Sequence, residues 1–354
     1  MNHCAEDKVL VLATSPKTKG GISAVIKLHQ QCSFWRKFGC RWITTHYRKG
    51  IFGHFYDLGC AIAIYLRYLP RCKIVHIHHS ESISTLRKSV FFIIAKVFQK
   101  KTILHFHAFS PRTTIHGKYS YVYRWLFRRA DCVIVLSEYW KNVVVDTCGK
   151  SVKIQVLYNP CDTVEPCALP PKKQILYAGT LNQRKGYDVL LKAFSMVHEE
   201  HPGWQLAFAG NGDLRQAREL AEGLGIASKC IFYGWVMDER KRIVFSESSI
   251  FCLPSFAEGF PMAVVDAWAY RLPVITTPVG GLPDVAIDGV NCLLFEPGNV
   301  VALSNKLSQL ILSSDLREKI SCAGNALANN KFSIESVGAK LDSIYENLSC
   351  NVYR

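Results

Sequence analysis

"QILYAGTLNQRKGYDVLLKAFSMVHEE" spans Gln174–Glu200. "QILYAGT" is a short apolar run that ends on Gly and Thr. "LNQRKG" is polar and closes on Gly186. "YDVLLKAFSMVHEE" repeats its apolar residues at helical spacing. Strand, loop and helix in that order form half of a βαβ unit. The succession continues downstream in "WQLAFAGNGD", "CIFYGWV", "SIFCLPS", "PVITTPVGG" and "NCLLFEPG", each an apolar strand with its following loop. A helix around Ala302–Leu312 follows, and the tail is helical again after Phe332. Upstream, the same pattern starts with "KVLVLAT" (Lys8–Thr14), the loop "SPKTKGG" and a helix from Ile22 to about Phe38. "KIVHIHHS", "KTILHFHAF", "CVIVLS" and "KIQVLYNP" are its further strands. Between the two series lies "CDTVEPCALPPKK" (Cys161–Lys173), proline-rich and aperiodic, which reads as a linker. The expected fold is α/β: two doubly wound Rossmann-like domains facing a central cleft. Residues 1–165 and 166–330 form the domains, and a helical tail, 331–354, packs back on the first. Ligands of such sheets bind beyond the carboxyl ends of the strands.

Composition bounds the class. The 354 residues are 49% hydrophobic and 20% charged, as in globular proteins. Glu6, Asp7 and Lys8 precede the first apolar run, so no secretory start is expected, and no apolar run reaches membrane-spanning length. A cytoplasmic protein is expected. The 14 cysteines are scattered, show no CxxC step and sit mostly in apolar runs, so they read as buried thiols in a reducing compartment. The net charge of +15 is unevenly spread. Residues 1–165 carry 25 basic and 9 acidic side chains, leaving 18 basic and 19 acidic for the rest. The first half therefore suits an anionic partner such as a membrane surface or a phosphate-bearing lipid.

Several short stretches carry chemistry. "KGGIS" places Gly20 and Gly21 before a helix start, where free N–H groups and the dipole favour an anion. "NQRKG" occupies the matching loop of the second half. Arg184 offers a planar fork and Lys185 a point charge to a diphosphate; two solvated surface cations are the plainer reading. In "EGFPMAVVDAW" (Glu258–Trp268), Pro261 suits a first helical turn, and Glu258 lies just before it. A carboxylate there gains roughly 0.3–1 kcal/mol from the dipole, so a helix cap is the plainer reading of Glu258. Asp266 follows five residues after Pro261, within reach of the same cleft. His105 and His107, like His76 and His78, are spaced to share a strand face as metal pairs are. No third ligand joins them in a motif, and no metal site is expected.

"AGTLNQRKGYDVLLKAF", "AGNGDL", "YGWV", "PSFAEGFPMAVVDAWAYRLPVITTPVGGLPDVAIDGVN" and "LLFEPGN" resemble the nucleotide-sugar half of retaining GT-B glycosyltransferases of family 4. The first half resembles them more loosely, through "KGGIS", "LHFHAF" and "VLYNPCD". The resemblance implies a UDP- or GDP-linked sugar as donor, no cofactor and no metal. It implies that Arg184 and Lys185 stabilise the departing diphosphate and that Glu258 contacts the transferred sugar. His107 would lie near that sugar; a buried structural histidine is the plainer alternative. Donor binding would fall to Gly20, Gly21, Gly179, Gly259, Phe260 and Pro261, with Trp235 and Val236 beside the base and Asp266 on the ribose. Most members carry Glu at the last position and Gly where Cys292 stands. Configuration at the sugar carbon would be retained without a protein nucleophile, a donor phosphate oxygen taking the acceptor's proton.

The acceptor would then belong to the first half. "YSYVYRWLFRRAD" and "TLRKSVFFIIAKVFQKK" suit a lipid interface, with aromatic and apolar groups beside Arg and Lys, although sheet-covering helices with basic ends read the same. An undecaprenyl-diphosphate-linked or other saccharide acceptor in surface-polysaccharide (lipopolysaccharide-type) synthesis, at the inner face of the cell membrane, is expected. Two rivals remain. A GT-B-like epimerase or phosphorylase would give no transfer product or would use free phosphate. A basic nucleic-acid-binding protein would bind with a steep salt dependence and would not need Glu258 or Arg184; no nucleic-acid module is present, and no nucleic-acid partner is expected.

Overall fold

The structure is a computed structural model that describes residues 8–48, 50–162, 164 and 170–350. The chain divides into two compact units. One contains the described residues up to Pro160 together with those from Ile334 on; the other is Cys161–Ser333. Of the linker predicted over 161–173, residues 163 and 165–169 lie outside the described residues.

The first unit is a parallel sheet of six strands: β1 (Val9–Ala13), β2 (Cys40–Thr44), β3 (Ile74–His79), β4 (Lys101–Phe106), β5 (Cys132–Val135) and β6 (Ile154–Val156). Their spatial order is β2-β1-β3-β4-β5-β6. Helices α1 (Gly21–His29), α2 (Ser33–Lys37), α3 (Ile51–Tyr68), α4 (Ser82–Val97), α5 (Ser120–Arg129) and α6 (Glu138–Cys148) connect them. A parallel sheet covered on both faces needs strands that are apolar at nearly every position. β1 meets this, with all five residues buried. β3 and β4 depart from it. Val75, Ile77, Leu104 and Phe106 join the apolar core on one face, while the alternate positions on the other are His76, His78 and His105.

The second unit repeats the plan with β7 (Gln174–Ala178), β8 (Gln205–Ala209), β9 (Cys230–Phe232), β10 (Ile250–Leu253), β11 (Val274–Thr276) and β12 (Leu293–Leu294). The order is β12-β11-β10-β7-β8-β9, again all parallel. Its helices are α7 (Tyr187–Ser195), α8 (Leu214–Gly223), α9 (Asp238–Ser246), α10 (Met262–Ala269), α11 (Val300–Leu312) and α12 (Ser314–Leu327). Asn299 and Ser313 cap α11 and α12, each accepting a backbone N–H of the first turn. After α12 the chain returns to the first unit as α13 (Ile334–Cys350). Val337, Leu341 and Tyr345 of α13 are buried there.

Three expectations need correction. The single helix predicted from Ile22 to Phe38 is two, α1 and α2, parted at residues 30–32. The helix predicted to Glu200 ends at Ser195. β2 was not foreseen: "CRWIT" lies at the sheet edge, only Ile43 of it is buried, and it lacks an apolar run.

Candidate functional site

In the second sheet, strand order reverses between β7 and β10, which pair side by side. At such a switch point the loops after the two strands part and leave a crevice for a ligand. The loop after β7 carries Arg184 and Lys185, and the loop after β10 carries Glu258. The structure brings all three together. Lys185 Nζ lies 2.5 Å from Glu258 Oε1, and Arg184 NH1 lies 3.6 Å from Oε2. Ser255 Oγ donates to Oε1 at 2.7 Å, and the Arg184 guanidinium donates to the Ala257 carbonyl at 2.7 Å. Glu258 is thus a buried carboxylate held by two cations and a hydroxyl, not a helix cap.

Local sequence explains the placement. Asn182 Oδ1 accepts the Lys185 N–H at 3.0 Å, turning Gln183–Lys185 into one tight 3-10 turn. Gly186 ends that turn in the left-handed region, at φ 69°. Gly280, at φ 62°, lies against the Glu258 carbonyl so closely that a Cβ there would collide with it. The Gly281 N–H donates to the Gly259 carbonyl at 2.8 Å. Phe260 turns its ring inward onto Phe332, at 5.3 Å between centroids, and Pro261 precedes α10 with Met262 as its first residue. Gly179 follows β7 beside the Lys185 stem; a Cβ there would sit 3.7 Å from Lys185 Cε.

Asp266 stands on α10 and pairs with Lys241 of α9, Nζ to Oδ2 2.8 Å. Burial works against the Lys241 charge, and the Asp266 carboxylate overcomes it, so the ammonium pKa is raised. Trp235 and Val236 lie half-buried between β9 and α9. Sequence reasoning missed Lys241 and Ser255. Lys241 sits in the charge-rich "DERKR", where nothing marks one cation as inward-facing. Ser255 was readable only as the end of "IFCLPS".

In the first unit, Gly20 and Gly21 open α1, and a Cβ on either would meet nothing within 4 Å. The backbone there is open to a ligand's approach. His107 follows the carboxyl end of β4, half-buried, with Nε2 2.9 Å from His78 Nδ1. Burial, and then the neighbouring His79, His29 and Lys88, push its pKa well down, so the ring is neutral. Among the described residues, His76, His78 and His105 come together as a third grouping that the pairwise spacing did not complete.

Residues 168–326 match the family described as "Glycosyl transferases group 1", and residues 33–165 match "Glycosyltransferase Family 4". Between them the two families match more than half of the chain. The chain belongs to the family 4 glycosyltransferases of GT-B fold.

This family member is 26% identical over 171 residues to the capsular polysaccharide biosynthesis glycosyltransferase CapM of Staphylococcus aureus, covering 48% of the chain and 44% of CapM. Its fold is that of the sucrose-phosphate synthase of Thermosynechococcus elongatus, with a TM-score of 0.82, 18% identity and coverage of 98% and 100% of the two chains. The same holds for Anabaena HepE crystallised with UDP-glucose, with a TM-score of 0.77, 17% identity and coverage of 96% and 99%. The chain spans 45% to 67% of the length of the first curated relatives it matches.

Proposed function

We propose that the protein is a retaining, metal-independent glycosyltransferase acting on a UDP- or GDP-linked sugar. Its acceptor is a lipid-linked or other saccharide in surface-polysaccharide synthesis, and it works at the cytoplasmic face of an anionic membrane. The observation that carries this reading is the Arg184–Lys185–Glu258 cluster at the switch point of the second sheet. Two cations that hold a carboxylate in the resting site are placed to take up a diphosphate's charge as it leaves. That is electrostatic catalysis by protein groups, and it does the work a divalent ion does elsewhere. Glu258, freed in part from Lys185, meets the sugar as its anomeric carbon becomes positive. Asp266, steadied by Lys241, holds the ribose, and Gly20, Gly21, Gly179 and the backbone of Gly259–Pro261 line the donor. His107 is assigned to the transferred sugar. The polysaccharide role draws on the relation to CapM, and the donor class on the HepE structure.

The direct test is release of nucleoside diphosphate from a panel of nucleotide sugars, with lipid-linked acceptors and EDTA present, and the anomeric configuration of the product read by NMR. Transfer with retained configuration in EDTA is expected. Inversion, or activity lost in EDTA and restored by Mg²⁺ or Mn²⁺, refutes the mechanism. Release of nucleotide with no glycosylated product points to an epimerase instead. In the same assay Glu258→Gln should lower turnover more than donor affinity. Asp266→Asn should mainly weaken nucleotide binding, because the ribose does not react. Calorimetric titration that finds UDP and GDP bound by Asp266→Asn as tightly as by wild type removes Asp266 from the donor site.

The membrane reading rests on the outer surface of α3–α5. Beneath that surface Tyr65 of α3 meets Phe91 of α4 edge-on, and Phe92 of α4 meets Trp125 of α5 edge-on. Exposed are Phe52 (91%), Phe55 (70%), Ile83 (77%) and Val97 (73%), and α3 and α5 also carry exposed Arg67, Arg124 and Arg129. Among the described residues no helix is long and apolar enough to cross a membrane. Apolar side chains in the acyl boundary with arginines at the headgroups describe interfacial attachment instead. Each cation near an anionic surface contributes about 1 kcal/mol. The whole chain should float with phosphatidylglycerol vesicles at low salt, and Phe52→Ser/Phe55→Ser should release it. Equal flotation with neutral vesicles would remove the membrane claim and leave the transferase claim standing.

A further inference from the structure

One face of the first sheet carries a histidine stack that the proposed transfer reaction uses at one position only. His76 and His78 of β3 have ring centroids 4.4 Å apart; His78 and His105 of β4 are 4.7 Å apart, and His105 and His107 are 4.2 Å apart. His29 of α1 closes the stack, 6.4 Å from His105. All but His107 are almost wholly buried. Side chains on a covered sheet face are ordinarily apolar, and a buried polar atom ordinarily has a partner. Here Nε2 of His29, His78 and His105 make no hydrogen bond.

We propose that His76, His78 and His105 form a binding site for a divalent first-row transition-metal ion of the Zn²⁺ type. One ring nitrogen from each lies within 4.8 Å of the other two. Ligands about 2.0–2.1 Å from a tetrahedral ion stand about 3.3 Å from one another. His76 Nε2 and His105 Nδ1 are already 3.3 Å apart. The His78 nitrogen lies within 4.8 Å of the other two, so its ring has to turn to complete the set. An outer partner is in place: Tyr345 Oη of α13 lies 2.7 Å from His76 Nδ1, which holds that ring and leaves Nε2 to the ion. An all-imidazole set selects Zn²⁺, Co²⁺, Ni²⁺ or Cu²⁺ over Mg²⁺ and Mn²⁺, which prefer oxygen. The three ligands belong to the first unit, whereas Lys185 and Arg184 belong to the second.

The test uses the full chain without a polyhistidine tag, washed with chelator and titrated with Co²⁺ as the probe. One ion per chain should bind with the visible bands of low-coordinate Co²⁺. Equimolar Zn²⁺ should bleach them, and millimolar Mg²⁺ should not. Tyr345→Phe keeps every ring and should weaken binding by about 10–100-fold through the lost outer contact. His76→Gln/His105→Gln should abolish the bands. Absence of saturable bands in wild type overturns the proposal, as does an unchanged affinity in Tyr345→Phe or in the double variant. If the double variant fails to fold by circular dichroism, the wild-type titration and Tyr345→Phe decide. The readout is metal binding alone, so it is independent of the transferase reading.

Discussion

Replacing Lys185 by alanine is expected to lower sugar transfer by a factor on the order of 10²–10³, the cost of removing one group aimed at charge that develops in the transition state. A second consequence follows from the geometry. Lys185 and Glu258 are both largely buried, and their charged atoms are 2.5 Å apart. Without the ammonium, Glu258 keeps Ser255 and the more distant Arg184 among the described residues. Breaking a buried pair from one side costs about 3–5 kcal/mol. Lys185→Ala should therefore lose stability as well as rate. Arg184→Ala separates the two effects: its side chain is more exposed and its closer contact is to the Ala257 carbonyl, so it should lose rate with little change in melting temperature. Steady-state kinetics beside thermal melts check both. Transfer near the wild-type rate in the Arg184→Ala/Lys185→Ala double variant would refute the role of both cations.

Acid should unfold the first unit well before the second. Burial lowers the pKa of His29 to about 4 and of His79 and His46 to about 3, and lowers those of His76, His78, His105 and His107 as well. For His46 and His79 nearby cations, Lys88 among them, add to the effect. The unfolded chain takes up protons on these rings below about pH 6.5, while the folded chain does not. Their contribution to stability is therefore complete above pH 6.5 and is lost as pH falls toward 4 and then 3. At pH 5 a single ring kept neutral in this way costs about 2 kcal/mol. Several together are comparable with the whole stability of a domain. The second unit holds only His198 and His201, neither of them buried. Between pH 7.5 and 5 the melting temperature of the first unit should drop by at least ~10 °C. His29→Phe, which keeps an aromatic ring in the stack, should flatten the dependence. A melting temperature constant across that range would count against the neutral-stack assignment.

How much of this was legible in the sequence depended on the range of the interaction. The six strands of the second sheet were readable because buried parallel strands are apolar runs ended by turn residues, as "SIFCLPS" is. β2 was not, since an edge strand such as "CRWIT" has no need of a full apolar run. The tight turn at Asn182–Gly186 follows from local residues. The Lys185–Glu258 and Lys241–Asp266 pairs do not, because which charge faces which is settled by strand order and helix packing. The histidine cluster shows the same divide. Each i, i+2 pair was visible on its strand, but register set His78 beside His105, and α1 supplied His29 from far upstream.

The return of the chain at Ile334 has a consequence for how the molecule is made. Tyr345 of α13 reaches His76 and packs its ring against Phe34 and Phe38, so the first unit's interior is completed by residues translated after all of the second unit. Domains usually fold in the order they leave the ribosome. Here the order is inverted: Cys161–Ser333 has every strand it needs while the earlier unit still lacks a wall. Until α13 emerges, the nascent chain carries an unsealed sheet face, and a ribosome stalled between Ser333 and Tyr345 would hold a finished second half tethered to an unfinished first.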